Sequence, residues 1–190
     1  MQQVTYANGL LYGSHGTAVD VGASTSTVAQ QTGAAWYITD PTTDGTNGNL
    51  STVIVNQGRL ATARNNVLMP SLGVRADGSA VIGVTLVGLD HYPSAAYADL
   101  TATGTGAIKV VAEGAGPEDG FAGYRLFGGR SRWGDYGAAA IDPATGQLWV
   151  ANEWTAQSCT FAQYQAAPFG QCGGTRTALA NWSTRITNVG

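Results

Sequence analysis

Two stretches of this chain repeat each other. SLGVRADGSAVI (Ser71–Ile82) laid over AAAIDPATGQLW (Ala138–Trp149) aligns strand, turn and strand without a gap, at a shift of about 67 residues. Each copy runs small and apolar, breaks at an Asp-containing turn and resumes with alternating apolar residues, the pattern of two antiparallel strands joined by a turn. In the second copy Asp142 caps the turn through its side chain, Pro143 presets φ and Gly146 takes the left-handed position. A weaker, earlier copy pairs Gly16-Thr17-Ala18-Val19 with Gly33-Ala34-Ala35-Trp36, with a long insertion in its turn. A repeated hairpin unit cannot cover its own apolar faces, so repeats stack. The spacing leads to the expectation of β-propeller-like blades with extended loops, roughly 9–65, 66–115 and 133–189, in a single module spanning 1–190. The alternative is a β-sandwich whose hairpins look alike by chance.

Composition agrees with an all-β chain. Its 27 glycines, with abundant Thr, Ser, Asn and Ala and only one lysine beside eight arginines, favour strands and turns over helices. Strands are expected at Leu10–Val21, Ala34–Thr39, from Ser51, around the 76–79 turn within 69–88, and at Tyr92–Tyr97 and Ile108–Ala112. Asp40-Pro41 is expected to end the Ala34 strand, and only Phe161–Gln165 reads as helical. Net charge is −3, which excludes a basic nucleic-acid face and a polybasic membrane anchor. No apolar run approaches the ~20 residues of a membrane-spanning helix. The opening Met1–Tyr6 has neither a charged n-region nor an apolar h-region, so an export signal would stand outside these residues.

The two cysteines, Cys159 and Cys172, flank TFAQYQAAPFGQ. They read either as buried free thiols or, the favoured reading, as a disulfide closing a loop too mixed to stabilise itself. A bridge implies an oxidising compartment, hence a secreted or extracellular protein. A tetrahedral metal site is not completed, since no histidine pair accompanies them.

SRWGDYGAAAIDPATGQLWVANEW (residues 131 to 154) gathers charges and aromatics in a chain that is 11% charged. RWGDYGAAAIDPATGQLWVANEW, followed by NWSTRI, resembles the last blade of bacterial secreted proteins related to the sialidase/BNR-repeat β-propellers, and MPSLGVRADG and HYPSAAYA resemble the blade before it. The resemblance covers roughly residues 66 to 189, and Arg132 to Tyr136 is its most specific piece. The Asp-box Ser-x-Asp-x-Gly-x-Thr-Trp of sialidases is not present as such, and DPATGQLW is at best a degenerate echo.

The resemblance implies a propeller fold and, in its catalytic form, a glycoside hydrolase acting on a glycan. Such an enzyme needs an arginine cluster to grip a carboxylate, an activated nucleophile and an acid. Arg130, Arg132 and Arg185 would supply the first, Tyr136 with Glu153 the second and Asp135 the third. The favoured reading is structural: Arg132 pairs with Asp135 to brace the loop, Trp133 and Tyr136 are core, and Glu153 faces solvent. Asp40, Asp44, Asn47 and Asn49 offer oxygen ligands that calcium could gather, though an ordinary glycine turn accounts for them better, and Glu118 and Asp119 are equally ambiguous. No other cofactor is expected. No Gly-x-Ser-x-Gly or His-Glu-x-x-His accompanies His15 and His91.

Three blades are too few to close a ring of four to eight. The expected partners are therefore missing blades on another chain or identical copies, because unpaired edges invite association and this chain lacks guarding lysines. STRITNV is a candidate to fasten the ring by pairing with Gln3–Tyr6. The leading functional expectation is an extracellular, non-catalytic module for binding or self-assembly, with a sialidase-like hydrolase as the alternative.

Overall fold

The computed structural model describes residues 3–21, 30–43, 47–122, 125–126, 130–131, 134–176 and 180–190. They form an all-β fold of three antiparallel sheets and a two-stranded ribbon. The first sheet is a meander of β1 (Val4–Ala7), β2 (Leu10–Val19), β3 (Gln31–Thr43) and β4 (Leu50–Leu60). The second runs β5 (Asn65–Val74), β6 (Ala80–Gly88) and β7 (Ser94–Thr101), the last pairing with both β8 (Gly104–Thr105) and β9 (Lys109–Ala112). The ribbon is β10 (Arg125–Leu126) with β11 (Arg130–Ser131). The third sheet is β12 (Ala138–Ile141), β13 (Leu148–Thr155) and β14 (Trp182–Val189).

The sheets stack in chain order. Tyr12, Trp36 and Leu60 of the first meet Val67, Leu72, Ile82, Val84 and Leu100 of the second in one apolar cluster. Val81 of the second meets Ala139, Leu148, Val150 and Val189 of the third in another. Covered on both faces, β6 reads as the near-continuous apolar run AVIGVTLVG, as a doubly buried strand must. The outer strands β4 and β14 are covered on one face at most and stay largely exposed. Gly58 shows how tightly the first junction closes: a Cβ there would lie 2.5 Å from the Trp36 ring.

The repeat is present with one difference. The β5–β6 turn closes with Arg75 N donating to Ser79 O, whereas the β12–β13 turn spans one residue more, from Asp142 N to Gln147 O. Val74 therefore faces Ala80, but Ile141 faces Leu148. The gap-free alignment places Gln147 opposite Ala80; the fold places Leu148 there, because a one-residue slip would turn every later side chain to the wrong face. Asp142 caps its turn as expected, accepting from Ala144 N at 2.9 Å and Thr145 Oγ1 at 2.7 Å, and Gly146 has φ 71°. The weaker copy is also a hairpin, with Thr17 facing Gly33 and Val19 facing Gln31.

Asp40-Pro41 does not end a strand, contrary to expectation. β3 continues through it to Thr43, paired with β4. β2 stops opposite Thr39, so beyond that point β3 has a single neighbour, where a residue lacking N–H is tolerated. Nor does the final strand fasten to the first: β14 pairs with β13 and β1 with β2. The N-terminal segment still reaches the third sheet through the Gln3 side chain, which bonds Ala139.

Cys159 and Cys172 are bridged, with Cα atoms 5.9 Å apart. Between them the expected helix α1 (Phe161–Gln165) starts with a capping box, Thr160 Oγ1 accepting from Gln163 N and Gln163 accepting from Thr160 N. Among the described residues no helix is long and apolar enough to cross a membrane.

Candidate functional site

The loop 134–137 leads into β12, and β13 supplies its partner. Glu153 extends from β13 beneath this loop, where the backbone N–H groups of Gly134, Asp135 and Tyr136 point at its carboxylate. Partial burial pushes the Glu153 carboxyl above its ordinary range; the Asp135 charge adds to the rise and the three N–H donors oppose it. Met69 closes the site from the second sheet. It sits in a bulge of β5 with φ 50°, and its Cε, like Glu153 Oε2, lies 3.7 Å from where a Gly134 Cβ would be. Met69 O approaches Gly137 so closely that a Cβ there would meet it at 2.6 Å. The loop and the Met69-Pro70 step thus lie side by side.

Behind the loop, Asn152 and Ser71 are buried at the junction of the second and third sheets, at 2% and 1% exposure. Neither the Asn152 amide nor Ser71 Oγ has a hydrogen-bond partner among the described residues. Across Met69 and Pro70 opens a cavity of about 240 Å³, lined also by Ser14, His15, Gly16, Thr32 and Leu68, with no carboxylate among the described lining residues.

The sequence candidates come together only in part. Asp135, Tyr136 and Glu153 are adjacent. Arg185 is not with them: it faces Asn152 in the β13–β14 register, whereas Glu153 faces Thr184, so the two side chains leave opposite faces of the sheet. Arg132 and Trp133 lie outside the described residues, and so does the expected Arg132–Asp135 brace; for Arg130 the structure describes only the backbone, in β11. Tyr136 is 70% exposed, so it is not core, and Glu153 is half-buried beneath a loop instead of facing open solvent.

Of the calcium candidates, Asp40 stands inside β3 opposite Val53, Asn47 and Asn49 are exposed, and Asp44 is outside the described residues. Among the described residues no three His, Cys, Asp or Glu side chains are grouped to hold a metal. The Glu118-Asp119 loop has a structural use. Asp119 Oδ1 accepts from Phe121 N and Ala122 N, and Oδ2 pairs with Arg176 at 2.9 Å. Arg176 Nε also donates to Gln157 Oε1, and its guanidinium lies over Tyr164.

One polar cluster escaped the sequence reading. His91 Nδ1 lies 2.8 Å from Glu113 Oε1, which also accepts from the buried Ser94 at 3.3 Å. The partners are 22 residues apart, His91 in the connection between β6 and β7 and Glu113 just past the end of β9, so no spacing motif reports them. Ser94 Oγ donates to Tyr92 O as well, and no bond joins it to the imidazole, so the set is not a nucleophile–base pair. Comparison with protein-family models, with curated proteins and with solved structures found no match.

Proposed function

We propose that this protein is an extracellular, non-catalytic module of β-propeller type that works by binding at the ends of its sheet stack. The observation that carries this reading is the state of the two outermost faces. On the first sheet Val4, Tyr6 and Ile54 are 53%, 68% and 54% exposed; on the third, Trp149, Trp182 and Ile186 are 37%, 44% and 63% exposed. Apolar side chains gathered on a flat face mark a contact surface. The Cys159–Cys172 bridge supports an oxidising, extracellular setting.

A sialidase-like glycoside hydrolase is the second reading, favoured by one observation: a half-buried Glu153 with a raised pKa beside Asp135 and Tyr136. A screen of sialoside and aryl-glycoside substrates separates the two. The binding module gives no turnover, whereas hydrolysis abolished by Glu153→Gln and Asp135→Asn in folded protein would establish the enzyme.

A further inference from the structure

The two internal junctions of the stack follow one rule. Each sheet turns one face forward, toward the next sheet in the chain, and one face to the rear. The forward face of the first sheet (Tyr12, Trp36, Leu60) seats on the rear face of the second (Leu72, Val74, Ile82). The forward face of the second seats in turn on the rear face of the third (Ala139, Leu148, Val150). Among the described residues two faces are left over, and they are of opposite kind: the rear of the first sheet and the forward face of the third.

Register places the side chains on each. Across the rear of the first sheet run the rows Tyr6–Leu11–Thr39–Ile54, Val4–Gly13–Tyr37–Gln57 and His15–Ala35–Arg59. Across the front of the third run Ala140–Trp149–Asn188, Ala138–Ala151–Ile186 and Glu153–Thr184. The second face continues the established interface. With the extra turn residue counted, Ala138, Ala140 and Ala151 stand where the second sheet has Ser71, Gly73 and Gly83. Those are the small residues that admit the third sheet: a Cβ at Gly73 would lie 3.1 Å from the Ala139 Cβ, and one at Gly83 would lie 3.2 Å from the Val150 Cβ. The front of the third sheet is thus built to receive a rear face.

We propose that the occupant of both faces is a second copy of this chain. The front of the third sheet of each copy seats on the rear of the first sheet of the other, closing two copies into a two-fold assembly. The proposal rests on the binding-module reading and names its partner. A stable obligate pair needs roughly 2,000 Å² or more of buried surface, which calls for both faces to be used at once, and a contact between unlike faces forms a closed body only if it returns to the starting copy.

The test is sedimentation of the intact protein at about 1 to 100 μM, with two variants at exposed positions, Ile186→Arg on the forward face and Tyr6→Arg on the rear face. The wild type is expected at twice the 19.5 kDa chain mass. Each variant alone, with both contacts spoiled, is expected to dissociate at least ~30-fold more readily. An equimolar mixture of the two variants is expected to recover the pair, because one contact then joins two unaltered faces. Circular dichroism confirms that each variant is folded.

A monomeric wild type at every concentration overturns the proposal. So does dissociation by only one of the variants, the mark of like faces pairing, and so does a mixture that stays monomeric. None of these outcomes bears on catalysis, so a failed pairing and a failed non-catalytic reading are told apart by the glycoside screen.

Discussion

Gln3 grips Ala139 from 136 positions away. Its side-chain amide donates to the Ala139 carbonyl at 2.7 Å and accepts from the Ala139 amide at 3.2 Å, as a neighbouring strand would. With Thr5 Oγ1 bonded to Leu72 O and Asn8 to Arg75 O, this ties the first strand to the inner edges of both later sheets. Gln3→Ala should cost about 1 to 2 kcal/mol, since two partly buried backbone groups lose their partner. Hydrogen exchange should speed selectively at the Ala139 amide, and unchanged exchange there would refute the clamp.

The Asp119–Arg176 pair should be the most sensitive polar contact. Both side chains are almost fully buried, at 1% and 2% exposure, so Asp119→Ala takes the carboxylate away from a guanidinium in a dry setting and should cost about 3 to 5 kcal/mol by urea denaturation. Replacing both, Asp119→Leu with Arg176→Met, should cost clearly less than the sum of the single changes. Additive losses would show that the two do not act as a pair.

Native protein should yield no alkylatable thiol, because Cys159 and Cys172 are bridged. Replacing both by serine should cost about 3 kcal/mol from loop closure. The loss should be seen first as faster exchange in residues 160–171.

Glu153 sets a pH dependence whose sign follows from its raised pKa. The folded state holds this proton more tightly than the unfolded chain, so stability falls as pH rises from the ordinary value of 4.5 through the folded one. Glu153→Gln keeps an acceptor for the loop amides and removes the titration. Its melting temperature should therefore be flatter with pH just above the ordinary glutamate range than that of the wild type. Parallel profiles for the two proteins would contradict the burial assigned to this carboxyl.

Gly58→Ala should destabilise by about 1 to 3 kcal/mol, because the Trp36 ring it would strike is itself buried and has nowhere to move. Thermal melts in which the variant matches the wild type would show that this junction is loosely packed.

What the chain could say locally, it said. The hairpins around Gly78 and Gly146, the capped helix at Phe161–Gln165 and the bridge between the two cysteines all rest on residues close in sequence, whose turn chemistry and alternation act without help from the rest of the molecule. Alternation also determines which residues share a face. It does not say whether that face has a neighbour: Trp149 and Val150 are equally apolar and adjacent, and only the stacking of sheets makes one exposed and the other buried. Asp119 and Arg176 stand far apart in sequence and look like an open acidic turn and a stray base; the packing of Phe161 and Tyr164 from the disulfide loop on Phe121, with Asn181 bonded to Pro117, brings the segments together so that they form an ion pair. The same holds for Glu153, which faces a loop and not open water because Met69, from another sheet, holds that loop down. Strand and turn are decided by short-range sterics and hydrogen bonding. Burial, and with it the charge state of a carboxyl or the use of a tryptophan, depends on long-range packing that the periodicity of one strand does not encode.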